Sequence, residues 1–418
     1  MLIRLAGKSL GNRKGTALLV VLSMALSVTL LLGVERLRHQ VRDSFASTVS
    51  GVDLIVGARS GPLNLLLYSV FRIGEPTANV RWKSVEQIAA HPHVDWVVPL
   101  SLGDSHRGFP VLGTTADYFE HYRYARDRHL EFAQGEVFDD LFDAVIGANV
   151  AKQLGYQLGQ EIALAHGVGK VSLVDHADKP FRVVGILQAT GTPVDNTVHV
   201  SLQGIEAIHA DWLAGAPLPG MQLTAEQVRQ RDLSPRSVTA LMVGLKSRAA
   251  VFHVQRTINT SIDEPLLAII PGVALQQLWQ MMALAENTLG LVAWMVVLVA
   301  IVVMLTALLA ALNERRREMA ILRAVGARPW QVFALIIGES LLLTLAGVAA
   351  GVLLLQLASA LAAPWLAARL GLTLTLWVPV AKEFMLVAIV ALTGLLAGIW
   401  PAWRAYRQSL SDGLGMRL

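Results

Sequence analysis

The sequence of 418 residues contains no cysteine. This absence excludes disulfides, thiol nucleophiles, thiolate metal ligands and a cysteine-linked lipid anchor. Charged residues are also scarce, at 16%, whereas hydrophobic residues make up 54% of the chain and the mean hydropathy is +0.51. This composition is more apolar than that of an ordinary soluble domain, and it is typical of a chain with several membrane spans.

Motifs of several enzyme classes are missing as well. The nearest approach to a phosphate-binding P-loop is HGVGK at residues 166–170, which lacks the leading glycine and the final hydroxyl residue. The H-E-x-x-H pattern of zinc proteases and the G-x-S-x-G pattern of α/β-hydrolases do not occur. We therefore expect a protein that is not itself an enzyme and that holds no cofactor of its own.

Four long windows carry no charged residue. They are Gly15–Val34, Asn287–Asn313, Ser340–Ala368 and Phe384–Trp403. A helix rises 1.5 Å per residue, so each window can cross a hydrocarbon core of about 30 Å. The first window is longer than the apolar core of a cleavable signal peptide, and we expect it to remain as a membrane anchor.

Positive charge orients these spans, because lysine and arginine in short flanks favour the cytoplasm. Three flanks carry twelve of them, whereas the loop between the third and fourth windows carries only Arg369 and Lys382. The twelve are Arg4, Lys8, Arg13 and Lys14; Arg315, Arg316, Arg317, Arg323 and Arg328; and Arg404, Arg407 and Arg417. Both termini are thus predicted in the cytoplasm of a multi-pass membrane protein, with a large domain outside the cytoplasm.

The predicted organisation follows from these windows. Its segments are 1–34, a cytoplasmic tail and first span; 35–285, the external domain with helical stalks; 286–312, the second span; 313–330, a cytoplasmic segment; 331–362, the third span; 363–383, a short external loop; and 384–418, the fourth span and tail. Region 35–285 has 21 basic and 25 acidic residues, so the pI of about 9.4 comes from the membrane flanks. We expect no nucleic-acid partner.

Residue patterns predict an α/β external domain. Strand-like stretches at 51–56 and 94–102 flank a helix near Ser84–Ala90 with a serine cap, and those at 237–246 and 266–270 flank a helix that begins after Ser247. Residues 111–114, 144–164 and 181–202 indicate short strands with glycine turns, hence a mainly β insertion. Helical extensions of the first two spans would form a stalk. The apolar centre of stretch 57–80 fits either core packing or an exposed contact surface.

A short charged stretch, residues 314–326, separates the second window from the third. As a helix, it places Ile321, Leu322 and Val325 on one side and arginines on the other. A carboxylate, Glu318, interrupts the apolar side, which favours burial against protein rather than against lipid. The pattern indicates a surface that docks on another protein.

This stretch resembles the signature of the MacB/FtsX/lipoprotein-release (LolCDE-like) family of ABC transporter permeases, R-R-x-E-[IM]-[AG]-[IL]-L-[RK]-A-[LVI]-G-[AM]. Near the C-terminus, GIWPAWRAYRQSL resembles the closing P-A-x-x-A pattern of the family. The resemblance implies that 314–326 is the segment that couples the permease to its ATPase. The residues that it assigns to this coupling are Arg316, Arg317, Glu318, Ile321, Leu322, Arg323, Val325 and Gly326, the last as the end of the helix.

Small residues in the last two spans predict close helix packing. Gly347 and Gly351 form one G-x-x-x-G pattern, and Gly394 and Gly398 form another. Such pairs allow helices to approach closely, within one subunit or across a dimer. The acid Glu339 is expected either to pair with a cation of the cytoplasmic flank or to extend to the interface.

Histidine is confined to the predicted external domain, which holds all eleven. His91 with His93, and His176 with Asp178, could ligate a divalent ion. The exclusion of histidine from membrane spans explains the same distribution without a metal. No metal site is therefore assigned, and the metal interpretation stays open as an alternative.

The resemblance implies an α-helical multi-pass protein of the cell inner membrane with four transmembrane helices and a large α/β extracytoplasmic (periplasmic) domain. This domain would be a split porter-like subdomain with a β-rich inserted subdomain. The resemblance also implies a permease that transmits ATP-driven motion of a separate cytoplasmic ATPase, which binds ATP and Mg, for export, extraction or release of an envelope substrate. The implied partners are this ATPase, a second permease copy in a homodimer or heterodimer, membrane lipid and a periplasmic protein. Two alternatives stay open: a component of metal-ion transport, and an FtsX-like regulator of a cell-envelope hydrolase.

Overall fold

The computed structural model describes residues 14–48, 50–125, 127–167, 176, 178–213, 216–217, 223–314, 321, 324–370 and 381–407. The chain divides into two compact units. The helical unit comprises the described parts of Met1–Gln40, Ala283–Pro364 and Leu374–Leu418, and the sheet unit those of Val41–Met282 and Trp365–Thr373.

Helices are numbered in chain order. They are α1 (Lys14–Thr48), α2 (Pro62–Leu66, continued by a wider turn over Leu67–Phe71), α3 (Trp82–Ala89), α4 (Asp117–His121), α5 (Ala148–Leu154), α6 (Leu202–Ile208), α7 (Ala225–Arg229), α8 (Val251–Asn259), α9 (Pro271–Glu314), α10 (Pro329–Leu370) and α11 (Ala381–Arg407).

Strands are numbered in the same way. They are β1 (Leu54–Ala58), β2 (Val80–Arg81), β3 (Val94–His106), β4 (Phe109–Thr114), β5 (Arg123–Tyr124), β6 (Arg128–His129), β7 (Phe132–Gly135), β8 (Asp143–Ile146), β9 (Glu161–Ile162), β10 (Ala165–His166), β11 (Phe181–Leu187), β12 (Val198–Ser201), β13 (Trp212–Leu213), β14 (Ala216–Pro217), β15 (Ser237–Val238), β16 (Ala240–Leu245) and β17 (Leu266–Ile269).

Four helices among the described residues, α1, α9, α10 and α11, are long and apolar enough to cross a membrane. They coincide with the four charge-free windows, which confirms the four predicted spans. The first two continue without a break past the apolar windows, because α1 extends to Thr48 and α9 begins at Pro271. The predicted helical extensions of these two spans are therefore present.

The sheet unit is organised around an eleven-stranded sheet in the order β17-β1-β16-β3-β4-β12-β8-β11-β7, with β10 paired to β3 and β9 paired to β11. The long strand β3 belongs to both halves. Its first residues pair with β16, and its last residues pair with β4 and β10. One strand thus fixes the register of both halves of the sheet.

The first half of the sheet is antiparallel and comes from two distant parts of the sequence. Strands β1 and β3 precede the long insertion, whereas β16 and β17 follow it. Helices α3 and α8 cover this half, with Val85, Ile88, Val254 and Ile258 in its core. This confirms the prediction of one α/β subdomain built from both ends of the domain.

The inserted part mixes parallel and antiparallel strands, since β12 runs parallel to β4 and β11 runs parallel to β8. The prediction of strands alone over 144–164 was wrong for Ala148–Leu154, which is helix α5. Gly155 ends this helix with φ +70, a backbone conformation that glycine adopts without strain. Seven residues were too few to display a helical repeat in the sequence.

A second correction concerns Ser84, which does not cap its helix. Helix α3 begins at Trp82, and Ser84 within it is buried and donates a hydrogen bond to the Glu264 carboxylate. The same carboxylate accepts from the backbone N–H of Arg81 at 3.0 Å. An acidic side chain from a distant segment therefore lies at the start of this helix, where negative charge is favoured, and no side chain caps the helix.

The apolar stretch within 57–80 packs in the core. It forms α2 and its wider turn, with Leu65, Leu66 and Tyr68 almost completely buried. Gly57 lies directly beneath it, since a Cβ there would be 2.5 Å from a Leu65 methyl group. Of the two interpretations of this stretch, core packing is the correct one.

A buried ion pair joins the first and last spans of the helical unit. The Arg36 guanidinium donates to both carboxylate oxygens of Glu383, at 2.9 and 2.8 Å, and to Gln356 of α10 at 3.3 Å. Both charged side chains are at least nine-tenths buried. The adjacent pair Lys382–Glu35, at 2.6 Å, is more exposed, with 45% of the lysine side chain accessible.

Removal of one partner of the buried pair is expected to be costly. Glu383→Ala leaves a buried guanidinium without its carboxylate and should reduce the free energy of unfolding by about 3–5 kcal/mol. Lys382→Ala is the matched control and should cost about 0–1 kcal/mol, since it removes an exposed pair. Thermal unfolding of the purified chain in detergent measures both. Equal effects of the two substitutions would contradict the assigned difference.

Candidate functional site

Of the predicted ATPase-coupling segment, residues 314–326, the structure describes Glu314, Ile321 and residues 324–326. Ile321 is helical, and its carbonyl oxygen accepts a hydrogen bond from the backbone N–H of Val325 at 3.0 Å. Both side chains are exposed, by 54% for Ile321 and 83% for Val325. Gly326 then adopts φ +105, which a side chain would disfavour, so the chain turns there as the sequence predicted.

Other members of the predicted contact set lie outside the described residues. They are Arg316, Arg317, Glu318, Leu322 and Arg323. Their assignment to ATPase coupling stays a prediction.

The helix ends beside this segment are fixed by one apolar cluster. It joins the end of α9, the start of α10 and the end of α11, through Leu312, Val332, Leu335, Ile336, Ala402 and Ala405. The two alanines belong to the closing motif of the sequence, and Pro401 beside them is buried as well. The closing motif therefore packs against the helix ends that flank segment 314–326, and small side chains let α11 approach α10 there.

The four glycines predicted to permit close packing do so within one subunit. Gly347 and Gly351 of α10 face α1, and Gly394 and Gly398 of α11 face α10. A Cβ at Gly347 would lie 2.5 Å from Met24 Cβ. Close approach also brings hydroxyl groups to backbone carbonyls of the neighbouring helix. The bonds run from Thr29 Oγ1 to Gly351 O at 2.9 Å and from Ser340 Oγ to Gly394 O at 2.8 Å.

The acid of the third span, Glu339, is buried within the helical unit, with 4% of its surface accessible. This position argues against a side chain that extends to the lipid interface. Arg4 and Lys8, two of the flank cations that could pair with it, lie outside the described residues, and pairing with a flank cation stays a prediction.

The histidines predicted as metal ligands separate into two groups. His91 and His93 lie with His253, with ring centroids 5.7–6.3 Å apart. His176 lies instead with Asp104 and His209, and the ligand atoms of these three are all within 4.8 Å of one another. Asp178 pairs with Lys179 at 2.9 Å. The four predicted residues thus do not form one group.

The second group includes residues that the sequence did not single out. His166 Nδ1 is 3.1 Å from Asp104 Oδ1, and His209 Nε2 is 3.5 Å from the same oxygen. Burial acts to raise the pKa of Asp104, but its hydrogen bonds with the two histidines lower it to about 2, so the carboxylate is ionised at neutral pH. Burial, with the charge of His209, lowers the pKa of His176 to about 4. No fixed spacing in the sequence indicates this group, because pairing of β10 with β3 creates it.

Comparison with known proteins agrees with both units. The family model of the MacB-like periplasmic core domain matches residues 15–261, and that of the FtsX-like permease C-terminal region matches residues 290–410. The first match alone covers more than half of the chain. Four helices that can span a membrane, together with a periplasmic core domain, define a membrane protein with a periplasmic domain. The chain belongs to the MacB/FtsX family of ABC transporter permeases.

Individual relatives have low sequence identity to this chain. The pyoverdine export ATP-binding/permease protein PvdT of Pseudomonas syringae pv. tomato is 23% identical over 95% of this chain and 56% of its own length. The macrolide export ATP-binding/permease protein MacB of Bordetella avium is 25% identical over 81% of this chain and 48% of its own length. The chain spans about half the length of these relatives. The crystal structure of the periplasmic region of MacB from Actinobacillus actinomycetemcomitans aligns with 55% of this chain and 94% of that one, at 10% identity and a TM-score of 0.35, too low to carry a structural argument.

Close packing at the glycines generates a stability prediction. Gly347→Ala introduces a Cβ against Met24, which cannot move without its helix, and should lower the free energy of unfolding by about 1–3 kcal/mol. Gly290→Ala in α9 is the matched control, because nothing lies within 4 Å of a Cβ at that position. Thermal unfolding in detergent is the measurement. A wild-type midpoint for Gly347→Ala would show that α1 and α10 do not pack as closely as described.

Proposed function

We propose that this chain is the permease subunit of an ABC transporter that transmits the motion of a cytoplasmic ATPase to the periplasmic domain. The observation that carries the proposal is the exposed pair Ile321 and Val325, one helical turn apart and at the boundary of two long membrane helices. Large apolar side chains exposed between two membrane helices are suited to a groove on a partner protein.

The proposed route of the motion follows the long helices. Segment 314–326 begins at the last residue of α9, Glu314, and precedes α10, which begins at Pro329. Helix α9 runs from Pro271 to Glu314 without interruption, so a displacement at its cytoplasmic end can be carried over its whole length. We assign ATP and Mg binding to a separate ATPase chain, because this sequence contains no P-loop. The permease itself would perform no chemistry.

The proposed assembly is two permease chains, identical or related, with two ATPases in the cytoplasmic membrane. Both termini would face the cytoplasm. Its substrate would be a molecule of the cell envelope that is exported, extracted or released from the periplasmic side, with a periplasmic protein as a further partner. The names of the relatives, which mention pyoverdine and macrolides, support export as the class of process without identifying the substrate of this chain.

Docking through the coupling segment can be tested with one substitution. Ile321→Asp places a carboxylate in the proposed apolar contact. A buried charge without a partner should weaken the binding free energy there by about 2–5 kcal/mol. We expect loss of the ABC ATPase that co-purifies with the tagged permease from native membranes, and loss of transport-linked ATP turnover. The amount of permease in the membrane should not change.

The matched control is Ile262→Asp, which introduces the same charge at a fully exposed isoleucine of the sheet unit, with 99% of its surface accessible. This variant should retain the ATPase. Wild-type co-purification and turnover in Ile321→Asp would contradict the proposal. So would a wild-type permease that brings no ABC ATPase with it.

A further inference from the structure

Four side chains from four separate parts of the sheet unit converge at the end of strand β3. Asp104 lies on β3, and His166 lies directly opposite it on β10, in antiparallel register. His209 follows the last residue of α6, and its ring makes an edge contact with that of His166, with centroids 5.3 Å apart. His176 approaches from the connection before β11, with its ring centroid 5.1 Å from that of His209.

The distances between three of the donor atoms match the ligand–ligand distances around a tetrahedrally coordinated ion. Asp104 Oδ1, His166 Nδ1 and His209 Nε2 are separated pairwise by 3.1, 3.3 and 3.5 Å. A zinc ion about 2.0–2.1 Å from each ligand requires separations of roughly 3.3 Å in a tetrahedron. His176 lies close enough to supply the fourth donor, since its ligand atom is within 4.8 Å of those of Asp104 and His209.

The surrounding structure fixes the direction of these donors. Nδ1 of His209 is 2.9 Å from the carbonyl oxygen of Ile205, so the Nδ1–H donates there and Nε2 faces the Asp104 carboxylate at 3.5 Å. Without a metal, the Nε2–H donates to that carboxylate, and a bound ion would take the place of this proton. His176 is anchored by its backbone N–H, which donates to Leu164 O at 2.8 Å. Lys179, almost completely buried, pairs with Asp211 at 2.9 Å and holds the His176 connection beside the end of α6.

A nearby histidine, His106, is not directed at the Asp104 carboxylate. His106, two residues beyond Asp104 on β3, places one ring nitrogen 2.7 Å from Ala163 O and the other 2.8 Å from Tyr156 Oη. Both ring nitrogens of His106 thus contact a carbonyl and a hydroxyl oxygen rather than the Asp104 carboxylate. The convergence of His166, His176 and His209 on one ionised carboxylate is therefore a property of this place, not of histidine content alone.

We propose that Asp104, His166, His176 and His209 form a binding site for a divalent transition-metal ion, with zinc as the favoured ion. Three imidazoles and a carboxylate suit Zn²⁺ and other late transition metals, whereas Ca²⁺ and Mg²⁺ prefer sites made of oxygen ligands. The ion would join β3, β10, the connection before β11 and the end of α6. It would thus clamp the inserted part of the domain to the strand that both halves of the sheet share.

The test uses the full chain in detergent, purified through a tag without histidine and stripped of metal with a chelator. Zinc is then offered at micromolar concentration, the bound metal is counted by mass spectrometry, and the affinity is measured by competition with a chromophoric chelator. We expect one zinc ion per chain and a higher thermal-unfolding midpoint with zinc than without. Asp104→Asn and His209→Gln should each weaken binding by at least about 10-fold, since even outer-shell changes cost 10–100-fold.

Two further variants keep the result decisive. His166→Gln alters a half-exposed ligand, with 42% of its side chain accessible, so it tests the site if substitution of the buried Asp104 prevents folding. The double variant His91→Gln/His93→Gln removes the other histidine group and should bind zinc as the wild type does. No stoichiometric zinc on the wild-type chain would overturn the proposal, as would wild-type affinity in folded His166→Gln and His209→Gln. The zinc measurements do not depend on ATPase docking. Absence of zinc binding would therefore not contradict the proposed transport function.

Discussion

Hydrocarbon supplies no water to polar groups, and this constraint determines how the helical unit is held together. Each span satisfies its own backbone, so the helices gain little from apolar contact that lipid would not also provide. Glycines solve this problem by close approach, as where Gly351 of α10 meets Ala25 and Val28 of α1. Close approach in turn allows the hydroxyl of Thr29 to reach the carbonyl oxygen of Gly351. The ion pair of Arg36 and Glu383 is buried between helices of this unit, where protein groups stabilise charges that would be costly in lipid.

The sheet unit depends on a different constraint, the continuity of strand β3. Its first part completes a subdomain whose other strands are far apart in the sequence, and its last part begins the insertion. Because side chains alternate along a strand, a shift of one residue in β3 would misplace both cores together. Asp104 lies near the end of this strand, so an ion bound there would act on the connection between the two halves.

Features that depend on neighbouring residues could be predicted from the sequence, whereas contacts between residues far apart in the sequence could not. The four spans and their glycines could be predicted, because hydropathy and G-x-x-x-G spacing are local properties of each window. Gly326 was predictable for the same reason, and its φ of +105 confirms it. Arg36 and Glu383 are 347 residues apart, and nothing in either neighbourhood indicates the other. Asp104 and His166 likewise become neighbours only through strand pairing. Helix α5 was missed because it is too short to display a period.

Coupling across a membrane requires that segment 314–326 and the sheet unit lie on opposite sides of it. Since the chain has no cysteine, single cysteines can report this directly. Ser234→Cys and Ala324→Cys place thiols at exposed positions of the sheet unit and of the segment, for labelling with a membrane-impermeant maleimide in intact and permeabilised spheroplasts. This arrangement predicts labelling of Ser234→Cys in intact spheroplasts and of Ala324→Cys only after permeabilisation. The reverse pattern, or equal labelling of both in intact spheroplasts, would contradict it.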